Sequence, residues 1–202
     1  LNLRCTSAQL ADYLLESEVV NYRHPLIQAK AKQLAASNMG EVDQVKATFE
    51  YVRDEIKHSW DIQSARVTCI ASDVLRWREG ICYAKAHLLA TLLRAQGIPT
   101  GFCYQKLTLG DTPETGYCLH ALNAVYLKSL GKWLRLDARG NKPGVNAQFS
   151  IYSEKSAFPI RPEHGEMDEG WIHCEPHPAT VKALSEGTNA LDIYRFGLPI
   201  DL

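Results

Sequence analysis

A cysteine thiol becomes a strong nucleophile only when something holds it as a thiolate. Cys82 is placed where a helix start could do that. It follows Gly80 by two residues, and from 82 to 94 the chain is apolar almost all round, through Ala84, Ala86, Leu88, Leu89, Ala90, Leu92 and Leu93. That pattern belongs to a helix buried in a core. Gly97 and Pro99 then stop it. The unpaired N–H groups of the helix start carry partial positive charge, which favours a thiolate at Cys82. Gly80 is expected to let the backbone approach a substrate closely. On position alone, a buried structural cysteine is an equal reading of Cys82.

His120 and Asp137 tip the balance. Residues 119–127 and 132–137 alternate as strands, and Lys128-Ser129-Leu130-Gly131 suits a hairpin loop between them. With Leu127 facing Lys132, Asp137 falls opposite Leu122. His120 and Asp137 are then diagonal neighbours on one face, roughly 7–8 Å apart at the backbone. A slip of one residue would send them to opposite faces. In the expected register the carboxylate orients the imidazole and stabilises its charged form, and the other ring nitrogen serves the thiol. The developing oxyanion needs a donor. The Cys82 N–H is one candidate, and His58, Trp60 and Gln63 are side-chain candidates upstream.

Other groups with chemical potential are read more plainly. His87 lies about 140° around the helix from Cys82, which makes it a core histidine rather than a partner. Cys118, His173, Cys174 and His177 could hold zinc, but there is no C-x-x-C pair and the spacing fits no zinc finger, so no metal is expected. Glu163, Glu166, Asp168 and Glu169 read as a solvated acidic loop. No cofactor is expected.

The elements that would position these residues begin with helices. Segments 7–16, 25–40 and 41–56 have helical spacing, Pro25 suits a first helical position, and the second of these should end near Asn38 to Gly40. Ser72 looks like the N-cap of a short helix reaching Trp77. Strands follow at 100–109, 119–127 and 132–137. Helices first and strands later suggest an α+β fold with an antiparallel sheet. Residues 140–178 are irregular yet rich in aromatics, as a packed loop covering a cleft would be. A last helix is expected from Pro178 to Glu186, within a C-terminal segment 178–202.

The 202 residues, 46% hydrophobic and 22% charged, suit a single domain spanning 1–202. A net charge of −1 without a basic run argues against nucleic acid as a partner. No stretch approaches the ~20 apolar residues that span a bilayer, so no membrane association is expected. The six cysteines lack regular spacing, which favours reduced thiols. No signal peptide is visible at the start, although the chain opens on Leu; a cytoplasmic location is the expectation.

Four motifs in order carry a family resemblance. Gly80-Ile81-Cys82 leads into a helix ending Leu93-Arg94-Ala95-Gln96-Gly97-Ile98-Pro99; His120-Ala121 opens a strand; Trp133-Leu134-Arg135-Leu136-Asp137 closes the next; Tyr51-Val52-Arg53-Asp54 precedes them all. Residues 51–137 thereby resemble the core of the transglutaminase-like superfamily. The resemblance implies a papain-like α+β fold, with a buried central helix packed on an antiparallel sheet. It also implies triad roles for Cys82, His120 and Asp137. The sequence departs from the family in having Leu122 two residues after the histidine and Ala138-Arg139 after the aspartate. The implied activity is a cysteine protease or amidase acting on a peptide, protein or other amide substrate through a thioester. Transfer of the same thioester to an amine is the alternative outcome. A member that binds peptides without turnover is the alternative from another class, and an intact Cys-His-Asp set weighs against it.

Overall fold

A short strand β1 (Arg4–Cys5) and a 3-10 turn (Leu10–Leu14) come first in the computed structural model, which describes residues 3–35 and 40–202. Helices α1 (Pro25–Leu34), α2 (Glu41–Glu55), α3 (Ala71–Trp77) and α4 (Cys82–Ala95) follow, with strands β2 (Lys57–His58) and β3 (Glu79–Gly80) between them. Then come β4 (Thr100–Thr108), β5 (Tyr117–Leu127), β6 (Lys132–Leu136), β7 (Met167–Asp168) and β8 (Trp171–Ile172), then α5 (Pro178–Glu186), α6 (Ala190–Asp192) and a π-helical turn (Ile193–Gly197). The main sheet has the order β6-β5-β4-β7 and is antiparallel throughout. Among the described residues, no helix is long and apolar enough to cross a membrane.

Helix α4 is the centre of this architecture. Every residue from Cys82 to Arg94 is buried. Helices α1, α2 and α3 pack on one side of it, and β4 and β5 on the other. An apolar surface on all sides leaves a helix no stable place except between two layers. Polar cross-links fix how it sits there. The Tyr83 hydroxyl donates to the Leu119 carbonyl at 2.7 Å, and Asn123 Nδ2 donates to the Ala86 and Gly101 carbonyls. Lys85, also buried, donates to the carbonyls of Arg53 and Ile56 where α2 ends. Burial pushes its amine down to about 7, and the neighbouring Arg139 charge adds to the effect.

The β5–β6 hairpin has the expected register, with Leu127 opposite Lys132 and Asn123 opposite Leu136. Its four-residue loop is held from outside. The Glu41 carboxylate, at the start of α2, accepts from the N–H groups of Lys128 and Ser129.

Several local expectations are corrected. Helix α1 runs to Leu34; of the end expected near Asn38 to Gly40, residues 38 and 39 lie outside the described residues, and Gly40 is the N-cap of α2. Segment 7–16 makes only the 3-10 turn Leu10–Leu14. Ser72 lies inside α3, whose N-cap is Ile70; its N–H is served by the distant Asn21 side chain. The acidic loop is solvated only in part, with Glu163 exposed. Glu166 is buried and accepts from Arg161 and Thr108, and Asp168 is half-buried against Arg135 and Gln105. The segment 140–178 is not wholly irregular either, since β7 and β8 fall within it. Gly80 is buried for internal reasons. A Cβ there would meet Ala84 Cβ at 2.8 Å and Thr68 Oγ1 at 2.9 Å, so its lack of a side chain serves packing rather than a substrate.

That packing makes a first prediction. Gly80→Ala must move α4 or Thr68, which should cost about 1–3 kcal/mol and lower the melting temperature by several degrees. Scanning calorimetry will read this; an unchanged melting temperature would mean that the start of α4 moves freely. A second concerns His87, which is fully buried with Nδ1 2.8 Å from the Cys69 carbonyl. Burial pushes its imidazole down to about 4. The unfolded chain therefore takes up a proton below about pH 6.5 that the folded chain refuses until lower pH, so stability falls with pH across that window. Urea unfolding near neutrality and near about pH 5 should show a smaller acid loss in His87→Gln than in the native protein.

Candidate active site

The three residues singled out from the sequence sit on three different supports. Cys82 is the first residue of α4, with Ile81 at the N-cap, and it is 9% exposed. His120 lies on β5, and Asp137 follows the last residue of β6. His120 Nε2 is 2.9 Å from Asp137 Oδ2, and both side chains are buried. Since Nε2 faces Asp137, Nδ1 is the nitrogen left for other work. Cys82 and His120 line the same cleft, and Cys82 adds to the electrostatic environment of His120. The Tyr83–Leu119 bond joins the residues adjacent to Cys82 and His120, and so holds the helix start against the strand.

The electrostatics follow from burial and pairing. Burial opposes a charged imidazole at His120, but the Asp137 charge, its hydrogen bond and the Cys82 contact outweigh it, and the proton affinity is raised. Burial likewise opposes the Asp137 carboxylate, and here His120 and two backbone donors prevail, so its acidity is increased. Those donors are the N–H groups of Ala157, to Oδ2 at 2.8 Å, and Arg139, to Oδ1 at 3.1 Å. A buried carboxylate with three donors is both satisfied and fixed in orientation. The edge of Phe158 meets His120 with ring centroids 5.2 Å apart and planes at 86°.

Cys82 and His120 open into a cleft of about 640 Å³. Its walls come from β4, β5, the segment 139–145, the segment 157–161 and the C-terminal residues 194–198. One wall is an aromatic layer. Trp60 stacks on Tyr194 with centroids 4.4 Å apart and planes at 15°, and His58 meets the same ring edge-on. The parallel pairing of β2 with β3 sets His58 opposite Gly80, and so brings residues 58–60 beside the start of α4. Burial holds the His58 imidazole well below its ordinary value, with the Arg139 charge acting in the same direction. Its Nδ1 has no partner among the described residues. Arg139 grips Asp61 through both terminal nitrogens, and Lys142 joins the same carboxylate at 2.9 Å.

The expected oxyanion donors therefore separate. His58 and Trp60 line the cleft. Gln63 does not; it sits in an exposed left-handed turn, and its amide donates to the Trp60 carbonyl. Of the residues weighed for zinc, only Cys118 lines the cleft, while Cys174 bonds Thr6 on the far side of the sheet. No group of three His, Cys, Asp or Glu residues is placed to hold a metal ion among the described residues. Sequence reading missed three contributors. Arg139 was seen only as a departure from a motif, and Tyr194 and Arg195 gave no signal, because nothing in the tail's local pattern tells which cleft it returns to.

Residues 28–138, more than half of the chain and the part that holds Cys82, His120 and Asp137, match the model of the transglutaminase-like superfamily. Among solved structures, a candidate cysteine protease from Cytophaga hutchinsonii is similar with a TM-score of 0.53 at 21% identity, covering 66% of this chain and 43% of that one. The periplasmic domain of TgpA from Pseudomonas aeruginosa, bound to ethylmercury, gives 0.47 at 21% identity, covering 63% of this chain and 46% of that one. The chain thus spans less than half the length of each, and at such identity the first likeness speaks for the fold alone. No curated protein sequence matches the chain. On the family match, the chain belongs to the transglutaminase-like superfamily.

Proposed function

We propose that the chain is a thiol-dependent acyl-transfer enzyme, a cysteine protease or amidase that hydrolyses a peptide or carboxamide bond. One observation carries this reading: a helix-start thiol and an imidazole held by a buried carboxylate line one cleft. A binding module has no use for that arrangement. Among the described residues, the buried Asp137 carboxylate has His120 as its only side-chain hydrogen-bond partner.

The steps follow from the geometry. The raised proton affinity of His120 favours transfer of the Cys82 proton to Nδ1, with Asp137 stabilising the imidazolium through Nε2. The Cys82 sulfur adds to the substrate carbonyl. The oxyanion then falls near the start of α4, where the Cys82 N–H is a free donor. His58 and Trp60, both on the cleft wall, are the side-chain candidates for a second donor. Collapse breaks the C–N bond, the amine leaves with the proton from Nδ1, and a thioester remains on Cys82. Water, deprotonated by His120, adds to the thioester, and the acid leaves as the thiol takes back its proton.

The other thiols provide an internal contrast. Burial pushes the Cys69 thiol up to about 11 and Cys118 up to about 12, and raises Cys103 further. Iodoacetamide at about pH 6 should therefore alkylate Cys82 first, as read by peptide mass spectrometry. The rate should fall sharply in His120→Ala. Equal, slow labelling of all six cysteines would sink the proposal. On a quenched-fluorescence peptide library, Cys82→Ala should lose turnover by roughly three orders of magnitude or more, and Asp137→Asn by roughly 10²–10⁴-fold. With a primary amine added, the product should remain the free acid; formation of an amide adduct would replace hydrolysis with transamidation.

A further inference from the structure

The cleft contains four cations, and three of them are occupied. Arg139 and Lys142 share the Asp61 carboxylate, and Arg161 is bonded to Glu166 and Thr108. Arg195 differs. It lines the cleft, it is exposed, and its side chain has no hydrogen bond or ion pair among the described residues. Its guanidinium instead lies 5.5 Å from the centre of the Trp60 ring, on the layer in which Trp60 stacks against Tyr194. A cation–π contact holds a guanidinium near the ring while leaving its N–H fork free for a carboxylate.

The surroundings reinforce this. Asp61 follows Trp60 directly and is a single carboxylate facing two cations, so Arg195, Arg139 and Lys142 leave that wall with surplus positive charge. Burial raises the Asp61 acidity threshold, but the two cations overcome it and hold the carboxyl at about 2, so it stays charged and saturated. The acids that line the cleft, Asp111 and Glu166, are grouped around Arg161. A substrate group entering beside Trp60 thus meets the unpaired guanidinium of Arg195.

We infer that Arg195 selects substrates that carry a carboxylate beside the bond attacked by Cys82, docking it on the Trp60–Tyr194 wall. This rests on reading the cleft as the substrate site of an acyl-transfer enzyme. The carboxylate has two possible sources, an acidic side chain or the free C-terminus of a short peptide. Arg195 contacts the substrate in this reading and sets specificity; it takes no part in proton transfer.

The test uses binding, so that it does not depend on turnover. The Cys82→Ala protein is titrated calorimetrically with three peptides of one sequence: a capped form with Gln, a capped form with Glu in its place, and the Gln form with a free C-terminal carboxylate. The Glu is moved through the positions flanking the target bond. At least one carboxylate peptide should bind roughly tenfold tighter than the capped Gln peptide at low salt. Which one does so identifies the source. The preference should collapse when Arg195→Ala is added and return in part with Arg195→Lys. Equal affinities, no measurable binding of any peptide, or a preference that survives Arg195→Ala would overturn the proposal. Melting curves of the Arg195 variants guard against misfolding. If carboxylate peptides bind through Arg195 and the native protein turns over none of them, the enzyme reading fails and the carboxylate site stands.

Discussion

The hydrogen bond from the Tyr83 hydroxyl to the Leu119 carbonyl joins the two halves of the molecule at the point where their alignment matters most. Tyr83 is fully buried, so its hydroxyl has no water to turn to, and a buried donor left without an acceptor is costly. The first turn of α4 is therefore bound to one residue of β5. Asn123 repeats the device farther along the helix, spanning Ala86 and Gly101. Apolar packing places α4 between the layers but tolerates sliding; two directional bonds in a dry interior do not. The separation of Cys82 and His120 is a consequence, because each is the direct neighbour of a bonded residue.

Asp137 is the second fixed point. A carboxylate without solvent is tolerated only when its lone pairs are taken, and here the donors come from three parts of the chain: His120 on β5, Arg139 just after β6, and Ala157 in the segment beyond. The arrangement ties the loop around 157 to the same carboxylate that orients the imidazole. Arg139 extends it, since the residue whose N–H serves Asp137 also sends its guanidinium to Asp61. The two walls of the cleft thereby share a hydrogen-bonded frame with its floor. The Asn141 side chain closes the turn that follows through both polar atoms of Ala147.

Where local reading went astray, a distant group had taken over a local task. Ser72 looked like a helix cap, but Asn21 serves that end of α3 from 51 residues away in the chain. Glu166 looked solvated because it lies among acids; Arg161 and Thr108 gave it partners that made burial affordable. Gly80 looked like a concession to substrate, yet its space is filled by Ala84 and Thr68.

The sequence by itself determined the elements and the pairings within short reach. An all-round apolar segment can only be a buried helix, and a four-residue loop between alternating strands puts His120 and Asp137 on one face. Those are local constraints, set by the helical and strand periods. Only the tertiary structure decided what meets across long loops: that Glu41 holds the hairpin loop, that Gln63 turns away while Trp60 stays, and that Tyr194 and Arg195 return to the cleft. Such contacts depend on where separate layers close on one another, and neither residue period nor spacing carries that information. The thiol and its partners could therefore be found by reading along the chain, whereas the wall that would meet a substrate appears only once the chain has folded back on itself.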